Sequence, residues 1–453
     1  MMQIASCKTL ILSVCTLVYA YSICPSAHGQ QDHSSVLIEN VTLIDGTGRP
    51  PLSNAFVLIL GNKIAEVSTC PIEVPAQTRR INGHGKYLIP GLMDVHIHLE
   101  GGTESTVPDE HLGIRRLHSY LYSGVTSVLD VGNNADFIFA LREKERSGQI
   151  VSPRIFAAGG EVTYPGSHDS GPFATLIEKW PEARPTLDAA IRRQPDMLKI
   201  VYDEHGWGNR PLLSLMPLDL LSKVVEYYND HGIRSIVHIV SELRAREAIF
   251  AGADALGHPP VTSPISDDFA RLMAAKRIAM TSTLAAGDRR SRLAEHPEFL
   301  DQSIYRAVLD SEEIQHLKTE ESLRQQKDPF AKWWKLMTPI AEANVAKINA
   351  AGGFVALGSD LSLGPDSLRE LELLVEAGIT PTDAIRIGTL DGAIVLGKSR
   401  ELGSVQTGKL ADLVLLNANP LTNIENITQI DVVIKDGQVI DRSKLDLPVN
   451  HRQ

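Results

Sequence analysis

Gly91-Leu-Met-Asp-Val-His-Ile-His-Leu99 is the stretch on which the reading of this chain turns. It is a short apolar run interrupted by two histidines two residues apart. On a β-strand, residues i and i+2 point to one face, so His96 and His98 would project together. Two imidazoles inside such a run are expensive to bury unless something binds them. The run is also the first of eight. The others are Gly124–Asp130, Arg154–Ala158, Met197–Val201, Ser235–Val240, Ala255–His258, Ala279–Thr283 and Phe354–Asp360, with helical stretches between them. Strands buried on both faces by crossover helices read as continuous apolar runs. Eight such units predict an α/β fold, a (β/α)₈ TIM barrel spanning residues 91–400.

Outside the centre the texture changes. Val36-Leu-Ile38, Val41–Ile44, Ala55–Leu60 and Ile64–Val67 are short strands parted by Gly turns. Gly403-Ser-Val405, Ala411–Leu416 and Val432–Ile440 repeat the pattern at the far end. Neither piece is large enough to fold alone. Residues 36–90 and 401–446 are therefore expected to form one composite β-sandwich. Residues 286–340 break the βα rhythm, are charged and contain Trp333-Trp334. They predict a helical insertion, read either as a lid over the catalytic face or as a surface excursion.

The first residues have their own composition. Lys8 precedes the apolar run Thr9–Ala20, and small and polar residues lead to Ala27-His-Gly29. This is the pattern of a signal peptide covering residues 1–29, and it predicts a secreted or periplasmic protein. The run is short for a membrane span, so no stable membrane insertion is expected after cleavage. Cleavage after Gly29 would remove Cys7, Cys15 and Cys24. A single Cys70 would remain, which excludes an internal disulfide and a cysteine-built metal site. Net charge is −11 without a basic run, which argues against a nucleic-acid partner. A small-molecule substrate is expected, and a homo-oligomer stays open.

Four further residues stand at the ends of predicted strands, where side chains face the active site of a barrel. His238 lies in Ser235–Val240, His258 ends Ala255–His258, Lys199 lies in Met197–Val201 and Asp360 ends Phe354–Asp360. Each has an ordinary structural reading on its own. A lone histidine can be a hydrogen-bonded core residue, and an aspartate at a strand end can cap a turn. Lys199 has two readings. Its ammonium escapes to water or pairs with Asp203, or the neutral amine combines with carbon dioxide to give an anionic carbamate that binds metal.

Gly91–His98, Asp196-Met-Leu-Lys-Ile-Val-Tyr-Asp203, Gly252–His258, Gly358-Ser-Asp360 and Gly403–Val414 together resemble the amidohydrolase superfamily, and are most similar to its imidazolonepropionase-like and prolidase-like members. The resemblance covers nearly all of the chain after residue 29. It implies a metal-dependent hydrolase of carbon–nitrogen bonds, in amides or dipeptides of a small substrate. It implies two zinc ions: His96, His98 and Asp360 hold the more buried one, a carboxylated Lys199 bridges, and His238 and His258 hold the second. A hydroxide between the metals would be the nucleophile, with Asp360 as general base and acid. His168 and Tyr202 fall where a substrate contact is expected. Ser167 stands where relatives carry a second glycine, and Val201–Trp207 departs from the Gly-rich continuation of prolidase-like members. The alternatives are a cyclic amide, lactone or phosphoester hydrolase with the same site, a one-metal deaminase-like enzyme, and an inactive binding homologue.

Overall fold

The computed structural model describes residues 35–99 and 108–451. The expected leader and its three cysteines lie outside the described residues. Cys70 is exposed. Among the described residues no helix is long and apolar enough to cross a membrane.

Five strands come first: β1 (Ser35–Leu43), β2 (Leu52–Leu60), β3 (Lys63–Ser68), β4 (Arg79–Asn82) and β5 (Tyr87–Pro90). The central strands are β6 (Leu92–Ile97), β7 (Val125–Asp130), β8 (Arg154–Ala157), β9 (Val162–Thr163), β10 (Thr175–Leu176), β11 (Leu198–Val201), β12 (Ser235–His238), β13 (Ala255–Leu256), β14 (Ala279–Thr281) and β15 (Phe354–Ala356). Three more close the chain: β16 (Leu413–Leu416), β17 (Ile430–Lys435) and β18 (Gln438–Val439).

The two chain ends meet in one eight-stranded sheet of order β18-β17-β16-β5-β1-β2-β3, with β4 also beside β1. The junction is the antiparallel pair β5–β16, from Leu413 opposite Pro90 to Leu416 opposite Tyr87. Its apolar face buries Ile38, Val57, Ile59, Leu88, Leu413 and Ile434 together. Neither end has enough apolar area alone, which is why residues more than 300 positions apart share a core.

All eight expected central runs are strands, and all pair in parallel. One sheet runs β6-β7-β8 and another β10-β9-β11-β12-β13-β14-β15. The register of β11 on β12 sets Lys199 opposite Ile236 and Val201 opposite His238. Backbone bonds also join the two sheets: Asp196 N–H to Ala157 C=O at 2.9 Å, and Val95 N–H to Leu357 C=O at 2.9 Å. Met93, Leu129, Phe156, Met197, Ile236, Ala255, Ala279 and Ala356 form one buried cluster. Each of the eight expected runs supplies a member, Met197 standing just before β11. Alternate residues Leu198, Ile200 and Tyr202 face a second core shared with the helices. This is a TIM-barrel-like α/β arrangement.

The helices follow at βα spacing: α1 (Glu110–Tyr122), α2 (Ala135–Arg146), α3 (Arg184–Ile191), α4 (Leu218–Asp230), α5 (Glu242–Phe250) and α6 (Asp267–Lys276). Between β14 and β15 lie α7 (Leu284–Glu295), α8 (Ser303–Val308), α9 (Ser311–His316), α10 (Ser322–Lys327) and α11 (Pro329–Ala350), and α12 (Gly364–Glu376) follows β15. The helical excursion thus begins just before residue 286 and continues past 340, because α11 runs on to the turn before β15. Thr283 makes no side-chain cap to α7. The buried carboxylate of Glu370, on α12, takes that role and accepts from Leu284 N (3.0 Å) and Ala285 N (2.6 Å). The first N–H groups of a helix have no partner within it, and these two find theirs in Glu370.

Candidate active site

Six imidazoles form a continuous row across the ends of the central strands. Ring centroids are 5.6 Å apart for His98 and His96, 4.6 Å for His96 and His258, and 4.3 Å for His258 and His238. The row continues to His168 at 4.8 Å and His205 at 4.1 Å. Two acids serve its two ends. Asp360 Oδ1 lies 3.5 Å from His96 Nε2 and 3.3 Å from His98 Nε2, and Oδ2 lies 4.0 Å from His258 Nδ1. Asp203 Oδ2 lies 3.1 Å from His168 Nδ1 and 3.6 Å from His238 Nε2.

The far nitrogens of the first two rings are anchored. The Thr281 hydroxyl donates to Gly257 C=O and so must accept from His96 Nδ1, 3.0 Å away. Gly132 C=O, which can only accept, lies 2.9 Å from His98 Nδ1. Both tautomers therefore carry hydrogen on Nδ1, which leaves Nε2 of each ring facing Asp360. This is how a protein prepares histidine ligands for a metal. His258 Nδ1 contacts Thr283 Oγ1 at 3.0 Å. Asp360 itself sits at φ +56°, in the left-handed region, held by its N–H bond to His96 C=O at 2.8 Å. Left-handed non-glycine residues cluster at sites where the surroundings impose the conformation.

Lys199 is 1% exposed, and its Nζ lies 3.2 Å from His96 Nε2. Asp203, the partner one reading of the sequence gave it, turns instead to His168, to Trp207 Nε1 and to His205 N–H at 2.9 Å. Burial pushes His96 and His258 well below the usual imidazole range, helped by Lys199 at His96 and by His238 at His258. At His98 burial acts the same way. The hydrogen bond and charge of Asp360 overcome it, with Glu161 adding, and the ring is pushed up to about 9. Burial works to raise Asp360, yet His98, His96 and His258 hold it well below the carboxylate range. A carboxylate among imidazoles, two of which burial holds neutral, is a donor set suited to a divalent metal such as zinc. The orphaned buried Nε2 of His238 fits the same purpose.

Of the residues the sequence singled out, His96, His98, Lys199, His258 and Asp360 converge. His238 is in the row but stands between Asp360 and Asp203. His168 is also in the row, tied to Asp203. Tyr202 is apart: its hydroxyl donates to Glu247 Oε2 at 3.0 Å, on α5, away from the cavity. Glu161 was not expected. It is 1% exposed just beyond β8, and burial and Asp169 raise it to about 7 against the pull of Lys199 and His98. The cavity above the row is lined by His168, His205, His238, His258 and Asp360, and by Trp207, Arg210, Arg290, Phe330 and Trp334. The excursion between β14 and β15 thus supplies a wall of the site. Trp207 stood in a stretch the sequence marked as unusual, and Arg290, Phe330 and Trp334 stood in the 286–340 excursion, where neither Arg290 nor Phe330 was singled out.

Such a fold and such a site define a class, the barrel-like hydrolases that work through histidine and carboxylate ligands. The model of the amidohydrolase family matches residues 87–440, and the chain belongs to that family, whose members are hydrolases of carbon–nitrogen bonds and generally bind divalent metal. The chain is 26% identical to ochratoxinase of Aspergillus niger over 429 residues, covering 84% of this chain and 81% of that one. It is 34% identical to imidazolonepropionase of Geobacillus sp. (strain WCH70) over 116 residues, 24% of this chain and 27% of that one. A Xaa-Pro dipeptidase crystallised with methionine in its active site shares the fold at a TM-score of 0.73 and 24% identity, over 90% of this chain and 100% of that one.

Proposed function

We propose that this protein is a metal-dependent amide hydrolase of a small substrate, with Asp360 as general base and acid. The observation that carries the reading is the set of Nε2 atoms of His96 and His98, both directed at Asp360 with their Nδ1 atoms anchored behind them. His96, His98, Asp360 and a carboxylated Lys199 would hold one zinc ion, and Lys199, His238 and His258 a second. When bound there, the metal polarises the substrate carbonyl and makes water more acidic. Asp360 Oδ1 or Oδ2 accepts the proton of the attacking water and passes it to the leaving nitrogen, which departs as a neutral amine. The similarity to a dipeptidase and to ochratoxinase supports amide bonds over lactones or phosphoesters.

The same reading includes closure of the eight strands into a barrel over 91–400, which the Val95–Leu357 bond supports. It includes a composite β-sandwich from residues 36–90 and 401–446, supported by the split pairing of β1 with β2 on one edge and β4 and β5 on the other. It includes secretion through a leader ending near Gly29, supported by the apolar run of residues 9–20.

The test is turnover by zinc-loaded mature protein against N-acyl amino acids, dipeptides and cyclic amides. Hydrolysis of an N-acyl amino acid or dipeptide, abolished in Asp360→Asn, is the expected result. No turnover of any of these, or turnover that survives Asp360→Asn, overturns it.

A further inference from the structure

The cavity wall supplied by residues 207–210 and by the helices between β14 and β15 is built for more than an amide. Trp207, Phe330, Trp333 and Trp334 form one aromatic cluster. Trp207 lies 5.0 Å from Trp333 and 5.5 Å from Phe330, and Phe330 and Trp333 lie 5.9 Å apart and parallel. Two guanidinium groups flank it: Arg210 Cζ is 4.6 Å and Arg290 Cζ 5.3 Å from the centre of the Phe330 ring.

Neither arginine forms an ion pair with any described residue, whereas Arg289, next to Arg290, takes both oxygens of Asp366. Arg290 is half-buried. Burial pulls its guanidinium below the usual range; Asp360 and Asp328 counter this, and Arg210 adds to the pull. An arginine does not lose its proton in a protein, so a half-buried one that forms no ion pair among the described residues can still take an anion at close range. Among the described residues that line the cavity, Asp360 is the one acid. Trp334 Nε1 is buried with no acceptor among the described residues. The wall therefore offers aromatic faces, two cations that form no ion pair among the described residues, and an N–H donor.

We propose that the substrate is an N-acyl aromatic amino acid or a close chemical equivalent: its carboxylate pairs with Arg290, with Arg210 at the rim, and its ring packs on Trp207 and Phe330. This rests on the amide-hydrolase reading above and adds the substrate class to it. Arg290 and Phe330 are then specificity-determining residues. Aromatic packing is worth more than area alone, and a charge-assisted hydrogen bond is about twice as strong as a neutral one.

The test compares N-acetylphenylalanine, its carboxamide and N-acetylalanine on the zinc-loaded protein. Wild type is expected to prefer the acid over the carboxamide by at least ~10-fold in kcat/KM, the scale of one hydrogen bond to a charged group. Arg290→Gln should collapse that ratio towards one, and Arg290→Lys should recover part of it. Phe330→Ala should narrow the preference for phenylalanine over alanine. Equal rates on acid and carboxamide in wild type, or an unchanged ratio in Arg290→Gln, overturn the proposal while leaving amide hydrolysis intact. Equilibrium binding of 3-phenylpropanoate against 3-phenylpropanamide to wild type, read by tryptophan fluorescence, needs neither turnover nor a variant. Tighter binding of the carboxylate upholds the recognition of an aromatic carboxylate by this wall even if no amide is cleaved, and equal binding overturns it.

Discussion

Lys199 Nζ and His96 Nε2 are 3.2 Å apart, inside the core formed by β6, β11 and their neighbours. A lysine ammonium in that place donates to the very lone pair that a metal on His96 would use. Carboxylation, as proposed above, would remove the conflict by replacing a competing cation with an anionic oxygen ligand. The expected outcome for Lys199→Ala is a fall in zinc per chain from two to one by elemental analysis. Activity should fall by more than the about 10–100-fold typical of outer contacts to a metal ligand. Metal-free protein reloaded without bicarbonate should regain less activity than protein reloaded with it. Full metal content and full activity in the variant would show that Lys199 is not a ligand.

Thr281 fixes the tautomer of His96, since its single hydrogen goes to Gly257 C=O. Thr281→Val keeps the shape and removes the acceptor. His96 can then rotate or carry its proton on Nε2. Zinc affinity measured by chelator competition should drop about 10–100-fold, with the fold unaltered by circular dichroism. An unchanged affinity would mean that packing alone orients the ring.

Asp203 gathers His168, Trp207 Nε1 and His205 N–H onto one carboxylate. His168 and His238, with burial opposing, hold it well below the usual carboxylate range. Asp203→Asn weakens charge-assisted bonds worth about 1.5–3 kcal/mol each. The loop that carries Trp207 should loosen. The expected signs are a lower unfolding temperature, a red-shifted tryptophan emission and a higher KM. Wild-type emission and KM in the variant would show that the loop holds itself.

Eight of the central strands were legible because a strand buried on both faces is apolar throughout, whereas the two-residue strands β9 and β10 carry no such run. The residues at their ends were legible for the same reason, since His238 and Asp360 are polar where the pattern demands apolar. Tyr202 shows where the pattern must be read more closely. Alternation along β11 places Lys199 and Asp203 on one face and Ile200 and Tyr202 on the other, so Tyr202 meets α5 instead of the cavity. Arg290 and Phe330 reach the site from helices whose placement depends on tertiary packing. Gly287 on α7 illustrates this, for a Cβ there would lie 2.6 Å from Trp334 on α11. No local pattern encodes such a contact.

Glu370 binds the start of α7 from inside the core, and burial raises it from 4.5 to about 8 against the hydrogen bonds of Ser282, Leu284 and Ala285. The folded state therefore holds a proton that the unfolded chain releases near 4.5. This contribution to stability is complete below that pH. It is lost as pH rises through the window to about 8, with a slope of at most about 1.4 kcal/mol per pH unit. Glu370→Gln cannot titrate, so the dependence of its urea midpoint on pH across that window should be flatter than wild type. Parallel profiles would place the titrating group elsewhere.

Gly358, between β15 and Asp360, lets the first and last central strands approach closely. A Cβ there would lie 2.5 Å from His96 Cβ and 3.1 Å from Thr281 Cβ. Both neighbours are fixed by backbone, so neither can yield as a flexible side-chain tip would. Gly257 also faces His96, but its Cβ would meet Cε1 at 3.4 Å, an ordinary contact. The two glycines thus form a matched pair of tests. Gly358→Ala must push His96 away from Asp360, and overpacking of this kind costs about 1–3 kcal/mol. It should lower both stability and zinc affinity. Gly257→Ala should change each far less. Equal effects from the two would mean that the separation of β6 and β15 does not set the geometry of His96, and that the ring is positioned from Thr281 alone.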